Sequence, residues 1–223
     1  MINIAIDGPA GAGKSSIAKA LARDYGFVYV DTGAMYRALA YKAIENGIDI
    51  NDFALIEQML SNTELGITYN ENGQRIIVDG EDVSDKIRTA RISMGASDIS
   101  AIPYVRIWLL DMQKNLAKKN NCIMDGRDIG TTILPDADVK IFLTASVEER
   151  AERRYKELIL KGENVTLEEV IEDVKIRDYN DSHREVSPLK KADDAIEVDS
   201  TDLDIGQTVD AIKKIIDGCI KGE

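Results

Sequence analysis

The stretch Gly8-Pro9-Ala10-Gly11-Ala12-Gly13-Lys14-Ser15 fits the pattern G-x-x-x-x-G-K-[ST] in full. It follows the apolar run Ile2 to Asp7 and precedes a helical stretch from Ser15 to Tyr25, the strand–loop–helix setting in which such a loop can wrap a phosphate. Glycines let successive backbone N–H groups turn toward one anion, and the helix N-terminus adds the positive end of its dipole. Lys14 can reach the β and γ phosphates of a nucleoside triphosphate, and the Ser15 hydroxyl can ligate Mg²⁺. A first strand that feeds such a loop points to an α/β fold.

The rest of the chain alternates in the same way. Apolar runs at Ile2 to Asp7, Phe27 to Asp31, Cys122 to Asp125, Val139 to Thr144 and Ala195 to Val198 read as five parallel strands covered on both faces. Between them, helices are expected over Ser15 to Tyr25, Ala34 to Glu45, Ile87 to Ser100, Val105 to Lys118, Val147 to Leu160, Leu167 to Asp181 and Ile205 to Ile216. Gly26, Gly47 and Gly162 stand where helices should end, and Thr166 with Glu169 makes a capping box. One segment breaks the alternation. Leu65 to Tyr69 and Arg75 to Gly80 flank Asn72-Gly73 and read as an antiparallel hairpin, with a short third strand at Glu81 to Val83. On pattern alone this insert is either a decorative excursion or part of a binding region.

Charge and length narrow the class. With 28 Lys+Arg against 40 Asp+Glu, the 223-residue chain carries a formal charge of −12, which argues against a polymeric nucleic acid partner. The length suits a single domain, and no apolar run approaches the roughly 18 residues of a membrane span. Met1 to Asp7 lacks a basic segment and a long apolar core, so no secretory leader is expected. Cys122 and Cys219 are too few for a metal quartet and read as reduced cytoplasmic thiols.

A phosphate-binding loop does not say what becomes of the γ-phosphate. A regulatory GTPase needs D-x-x-G and N-K-x-D, a transporter ATPase needs L-S-G-G-Q, and none of these occurs. A hydrolase of another type or a small-molecule kinase remains. Joining two phosphorylated molecules requires fixed positive charge, best supplied by guanidinium forks. Asp31-Thr32-Gly33-Ala34-Met35-Tyr36-Arg37 follows the second strand and Asp125-Gly126-Arg127-Asp128 the third, so two core strands each end in an acid and soon deliver an arginine. Arg150, Arg153 and Arg154 share one helix face, either as a lid over ATP or as ion pairs with Glu148, Glu149, Glu152 and Glu157. Arg177, Asp181 and Arg184 line one side of the next helix, as a ligand contact or a salt-bridged stripe. His183 is the only histidine and reads as a bystander, since a phosphate acceptor is already anionic.

With these residues in view, the chain resembles the bacterial cytidylate kinases of the nucleoside monophosphate kinase superfamily almost end to end. The resemblance rests on I-D-G-P-x-G-A-G-K-[SG] at Ile6 to Ser15, D-[ST]-G-A-x-Y-R at Asp31 to Arg37 and G-E-D-V-S at Gly80 to Ser84 followed by Ile87-Arg88-Thr89. It continues in D-G-R-D-x-G-T at Asp125 to Thr131 and R-D-x-x-D-x-x-R at Arg177 to Arg184. It implies a P-loop core, a lid near residues 148–165, and an antiparallel insert over residues 63–89 that extends the acceptor-binding region.

The resemblance also implies a monomeric, cytoplasmic enzyme of pyrimidine metabolism that uses ATP and Mg²⁺ to phosphorylate CMP and dCMP. Gly8, Pro9, Ala10, Gly11, Ala12, Gly13, Lys14, Ser15, Ser16 and Arg153 are then expected at ATP, with Ser15 also on the metal and Asp31 or Asp125 orienting its waters. Lys14, Arg127, Arg150 and Arg154 are expected to act in catalysis. Arg37 and Arg127 would hold the CMP phosphate, with Thr32 and Tyr36 beside it. Ser97, Arg106, Asp128 and Arg184 would surround cytosine, and Arg177 with Asp181 would approach the ribose. Ser182-His183 departs from some relatives, which carry another arginine there. Two alternatives stay open: a kinase for UMP, AMP or a small metabolite, and a nucleotide-binding switch that uses its arginines to dock a partner.

Overall fold

The computed structural model describes residues 1–71, 73–160 and 162–221. In chain order the elements are β1 (Asn3–Asp7), α1 (Lys14–Tyr25), β2 (Val28–Asp31), α2 (Thr32–Glu45), α3 (Phe53–Ser61), β3 (Leu65–Asn70), β4 (Gly73–Val78), β5 (Glu81–Asp82), α4 (Ala90–Ser100) and α5 (Pro103–Lys119). There follow β6 (Cys122–Gly126), a π-helical turn (Ile129–Ile133), β7 (Val139–Thr144), α6 (Val147–Leu160), α7 (Leu167–His183), β8 (Ile196–Asp199) and α8 (Ile205–Lys221). Five strands form a parallel sheet in the order β2-β6-β1-β7-β8, and three form an antiparallel sheet in the order β3-β4-β5. The five expected core strands are all present, and the fold class is the α/β arrangement that the first loop demanded.

The chain divides into two compact units, residues 1–28 with 120–223, and residues 29–119. The first is built on β1, whose Ile4, Ala5 and Ile6 are fully buried, as a strand with parallel neighbours on both sides requires. Register places Asp7 opposite Gly126 on β6 and Phe142 on β7. The loops that leave β1 and β6 therefore start at one level of the sheet, its carboxyl edge, where α/β folds bind ligands. On one flank α1 packs on β6 and α8. Further on, α6 and α7 form an antiparallel pair around Ala151, Leu158, Val170 and Val174, and the Thr166–Glu169 capping box starts α7 as expected.

In the second unit α2 packs closely on α4, and Gly95 makes room: a Cβ there would lie 3.2 Å from both Ile44 and Ile50. Three of the unit's helix starts have a side-chain acceptor. Asp31 takes the Ala34 amide at 2.8 Å, Asp52 that of Leu55 at 3.1 Å, and Thr89 that of Ile92 at 3.3 Å, each satisfying an orphan N–H of the first turn. The Thr89 cap shortens the expected helix from Ile87, because residues 87–89 lie ahead of the capped turn. Helix α3 was not anticipated, although Asp52 followed by Ile56, Met59 and Leu60 on one buried face is an amphipathic signal.

The hairpin is present, with Leu65 paired to Val78 and Asn70 to Gly73. Asn72 of the expected Asn72-Gly73 turn lies outside the described residues. A second tight turn at Asp79-Gly80, with φ of 51° and 84°, leads into β5. The insert is tied to α2 by Lys42, whose Nζ lies 2.6 Å from Asp79 Oδ2, and to β2 by a side chain of β4. Gln74 accepts from the Asp31 amide at 2.8 Å and donates to the Asp31 carbonyl at 3.1 Å, so its carboxamide pairs with the last residue of β2 as a neighbouring strand would. Gln74→Ala is expected to lower the unfolding free energy by about 1–3 kcal/mol, the cost of leaving such groups unpaired. Urea unfolding curves should show a lower midpoint with an unchanged slope.

Candidate functional site

The phosphate-binding loop of the first unit leaves β1 at Gly8, which no other residue can replace without moving the sheet. Its φ is 148° and a Cβ would stand 1.9 Å from the Leu143 carbonyl oxygen of β7. The loop closes on itself where Lys14 Nζ donates to the Pro9 carbonyl at 2.7 Å. Gly13, at φ 87°, leads into α1 without a side-chain cap, so the first amides of α1 meet no capping oxygen there. An anion is the natural acceptor for such amides. Ser15 Oγ donates to Asp125 Oδ2 at 2.8 Å, which joins the start of α1 to the end of β6.

Around Lys14 the unit has gathered charge of both signs. Lys14 is only 6% exposed, and burial followed by the nearby Arg127 guanidinium lowers its pKa well below the ordinary 10.5, against the pull of Asp125, Asp181 and Asp7. Arg127 Nε donates to Asp181 Oδ2 at 2.7 Å. Burial opposes the charge of that guanidinium, but Asp181, Asp125 and Asp7 outweigh it and raise its pKa. Asp181 is held low in turn: burial would raise it, yet Arg127, Arg177 and Arg184 prevail. Arg184 approaches Asp128 Oδ1 at 3.4 Å and also donates through Nε to the Ser187 carbonyl at 2.7 Å. The sequence-predicted Lys14, Arg127, Asp128, Arg177, Asp181 and Arg184 therefore belong to one electrostatic neighbourhood within one unit.

The three arginines of α6 part company. Arg150 is buried, donates to the carbonyls of Ala145 and Ala10 at 2.9 and 3.0 Å, and grips Asp178 with both terminal nitrogens at 3.0 and 2.6 Å. It thus braces the phosphate-binding loop at Ala10. Arg153 pairs with Glu149 and donates to the Ser200 carbonyl at 2.7 Å. Arg154 pairs with Glu157 at 3.3 Å on the helix surface. The alternative of helix-surface ion pairs describes Arg153 and Arg154 as they stand. His183 is exposed and stacks on Tyr179, away from any reacting role.

The second unit holds its own cluster. Asp31 caps α2 with Oδ1 and accepts from Arg37 Nη2 at 2.8 Å with Oδ2, while Arg88 lies 3.9 Å from the same oxygen. Burial would raise the Asp31 pKa, but Arg37, the Ala34 amide and Arg88 hold it below the usual carboxylate range. Arg37 Nε is buried with no hydrogen-bond acceptor in the protein. Gly33 leaves the space this pair needs, since a Cβ would come within 3.1 Å of Arg37. Thr32 is buried in the first turn of α2, and Tyr36 lies under the Arg106 guanidinium, 5.5 Å from ring centroid to Cζ. Arg106 also donates to the Ser100 carbonyl at 3.0 Å, and half-buried Ser97 lies one helical turn earlier on α4. Both Asp31 oxygens serve the α2 cap and Arg37, whereas Asp125 is the carboxylate bonded to Ser15.

Gln74, Arg88 and Asp178 were passed over by the sequence reading. Arg88 and Asp178 both stood inside quoted motifs, so both carried a signal; a Gln on a hairpin strand carried none.

Comparison with known proteins places the chain in a family. The cytidylate kinase family model matches residues 4–218. A cytidylate kinase of Pediococcus pentosaceus is 50% identical over 218 residues, 98% of this chain and 96% of its own length. One from Bacillus licheniformis is 49% identical over 215 residues, 96% of this chain and 95% of its own. Among solved structures, an uncharacterized protein from Eubacterium ventriosum superposes with a TM-score of 0.52 at 16% identity, covering 97% of this chain and 99% of the other; it speaks for the fold alone. With a family model spanning nearly all of its length and relatives at about half identity, the chain belongs to the cytidylate kinase family.

Proposed function

We propose that this protein transfers the γ-phosphoryl group of ATP to CMP and dCMP, giving ADP with CDP or dCDP. The observation that carries the reading is the company of Lys14: a buried phosphate-loop lysine in the same unit as Arg127 bonded to Asp181 at 2.7 Å and Arg184 beside Asp128 at 3.4 Å. A nucleotide hydrolase needs the first of these cations; an enzyme that seats a second anion beside the first needs the rest.

The loop amides and Lys14 hold the ATP phosphates, from Gly8 to Ser16, with Arg153 nearby. The Ser15 hydroxyl and the Asp125 carboxylate form an all-oxygen donor pair, which suits a hard cation that keeps several waters and binds chiefly through phosphates. Ser15 would bind Mg²⁺ directly and Asp125 through its water; when bound, the ion neutralises charge on the β and γ phosphates. Arg154 can leave an exposed partner, a pairing of little worth, for the transferring group. Arg150 serves by fixing Ala10 and hence the loop.

Arg37 and Arg127 bind the CMP phosphate, with Thr32 and Tyr36 beside it, and the unpaired Nε of Arg37 is a donor suited to it. Asp128 accepts from the cytosine N4 amine, and Arg106, Arg184 and Ser97 donate to N3 and O2, while Arg177 and Asp181 meet the ribose. Uracil reverses donors and acceptors at positions 3 and 4, so UMP leaves polar groups unpaired. The acceptor oxygen is anionic near neutral pH, so alignment and charge neutralisation suffice without a base. The enzyme works as a cytoplasmic monomer in this reading; among the described residues no helix is long and apolar enough to cross a membrane.

Three outcomes are expected. In an ADP-release assay over a panel of monophosphates, CMP and dCMP should be used well and UMP worse by up to about 10⁴-fold in kcat/KM; indifference to CMP would reject the reading. Lys14→Ala should lower kcat by about 10²- to 10³-fold, the usual scale for one electrostatic stabiliser, and near-wild-type turnover would reject the loop assignment. Because Lys14 loses its proton below the ordinary lysine value of 10.5, and phosphates bind its charged form, kcat/KM for ATP should fall on the alkaline side earlier than lysine titration in water would dictate. Lys14→Arg should move that limb to higher pH.

A further inference from the structure

Asp7 ends β1 and immediately precedes the phosphate-binding loop, yet the transfer described above gives it no part. Its side chain is buried, at 5% exposure, and both carboxylate oxygens are committed: Oδ1 accepts from the Ile129 amide at 2.8 Å and Oδ2 from the Gly130 amide at 2.7 Å. Those amides open the π-helical turn Ile129–Ile133, whose preceding residue, Asp128, makes no side-chain cap. Asp7 thus supplies from a different strand the acceptor that an N-cap residue ordinarily provides. The turn begins directly after Arg127 and Asp128, and π-helical turns are frequent at functional sites.

Holding β1 beside β6 does not require this arrangement, since five consecutive residues of the two strands are already in register. Nor is it a comfortable place for a carboxylate. Burial pushes the Asp7 pKa up to about 6 although the two amides and Lys14 pull it down, and Asp128 adds its own repulsion. An apolar residue, or a Ser reaching one amide, would avoid that penalty. What a planar two-oxygen acceptor uniquely offers is orientation: two successive N–H groups directed at two oxygens fix both the height and the rotation of the turn that carries Arg127 and Asp128.

We propose that Asp7 is a positioning residue for the acceptor nucleotide: its two-oxygen grip on Ile129 and Gly130 sets the Arg127–Asp128 segment against the first residue of the ATP loop, so that one side chain registers acceptor contacts to donor contacts. The inference rests on the reading that Arg127 and Asp128 meet CMP.

Asp7→Asn keeps the shape but turns an amide donor toward a backbone N–H, and the turn must shift. CMP affinity, measured by calorimetry without ATP, and KM for CMP should both weaken by about 10- to 100-fold, the scale of an ångström-sized misplacement, while KM for ATP stays within about threefold. Gly130→Ala disturbs the same contact from the other side, since a Cβ there would stand 3.2 Å from Lys140 and 3.4 Å from Asp7 Oδ2. It should weaken CMP by a smaller factor, about threefold, and again spare ATP; it decides the matter alone if Asp7→Asn does not fold. Folded variants that bind CMP normally, or lose CMP and ATP equally, overturn the role of Asp7 while leaving CMP as substrate. Wild-type protein that neither binds nor phosphorylates CMP overturns both.

Discussion

A buried lysine is the constraint on which the rest of the first unit depends. Taking an ammonium out of water is unfavourable unless carboxylates accompany it, and carboxylates so placed are unfavourable unless cations accompany them. Lys14, Arg127, Arg177 and Arg184 alternate with Asp7, Asp125, Asp128 and Asp181 for that reason. The arrangement also prepares the unit for polyanions. Arg127 and Arg184 already have their directions fixed by Asp181 and Asp128, so little of their side-chain entropy would remain to be lost if phosphate oxygens took the carboxylates' place. The same cluster sets four cations together in a chain whose formal charge is −12.

Much of this was legible in the sequence, for reasons that differ from element to element. The strands β1, β6 and β7 are short, apolar and unbroken, and Gly8 and Gly13 mark a loop whose backbone geometry admits few other residues, so the core could be read from local pattern. Asp31 and Arg37 were each legible as candidates at the second strand's exit, but their ion pair was not, since a six-residue spacing marks no shared helix face. Long-range partnerships were not. Arg150 reaches Ala10 across 140 residues and Asp178 across 28, and nothing in the helical spacing of Arg150, Arg153 and Arg154 separates the one that braces the loop from the two on surface pairs. The π-helical turn escaped for a related reason: its start is stabilised by Asp7, 122 residues away, and its own residues carry no helical period.

The division of labour among the α6 arginines bears on motion. Arg150 ties α6 and α7 to the loop through three different acceptors, Ala145, Ala10 and Asp178. Any movement of the α6–α7 pair must pivot about this residue or break several charge-assisted bonds at once. Arg154, one turn further along, holds a single exposed carboxylate. Arg150 thus ties one end of the pair to the loop, while Leu158 and Val170 pack the helices together toward the other.

The Gln74 carboxamide reaches beyond the acceptor cluster. β2 is the outermost strand of the parallel sheet, and an unpaired strand margin is a template on which another polypeptide can nucleate intermolecular β-structure. By occupying the N–H and C=O of Asp31, a single glutamine withholds the last rung of that margin from foreign chains. The hairpin therefore covers the end of that margin, and a chain shortened there would leave the N–H and C=O of Asp31 without this partner.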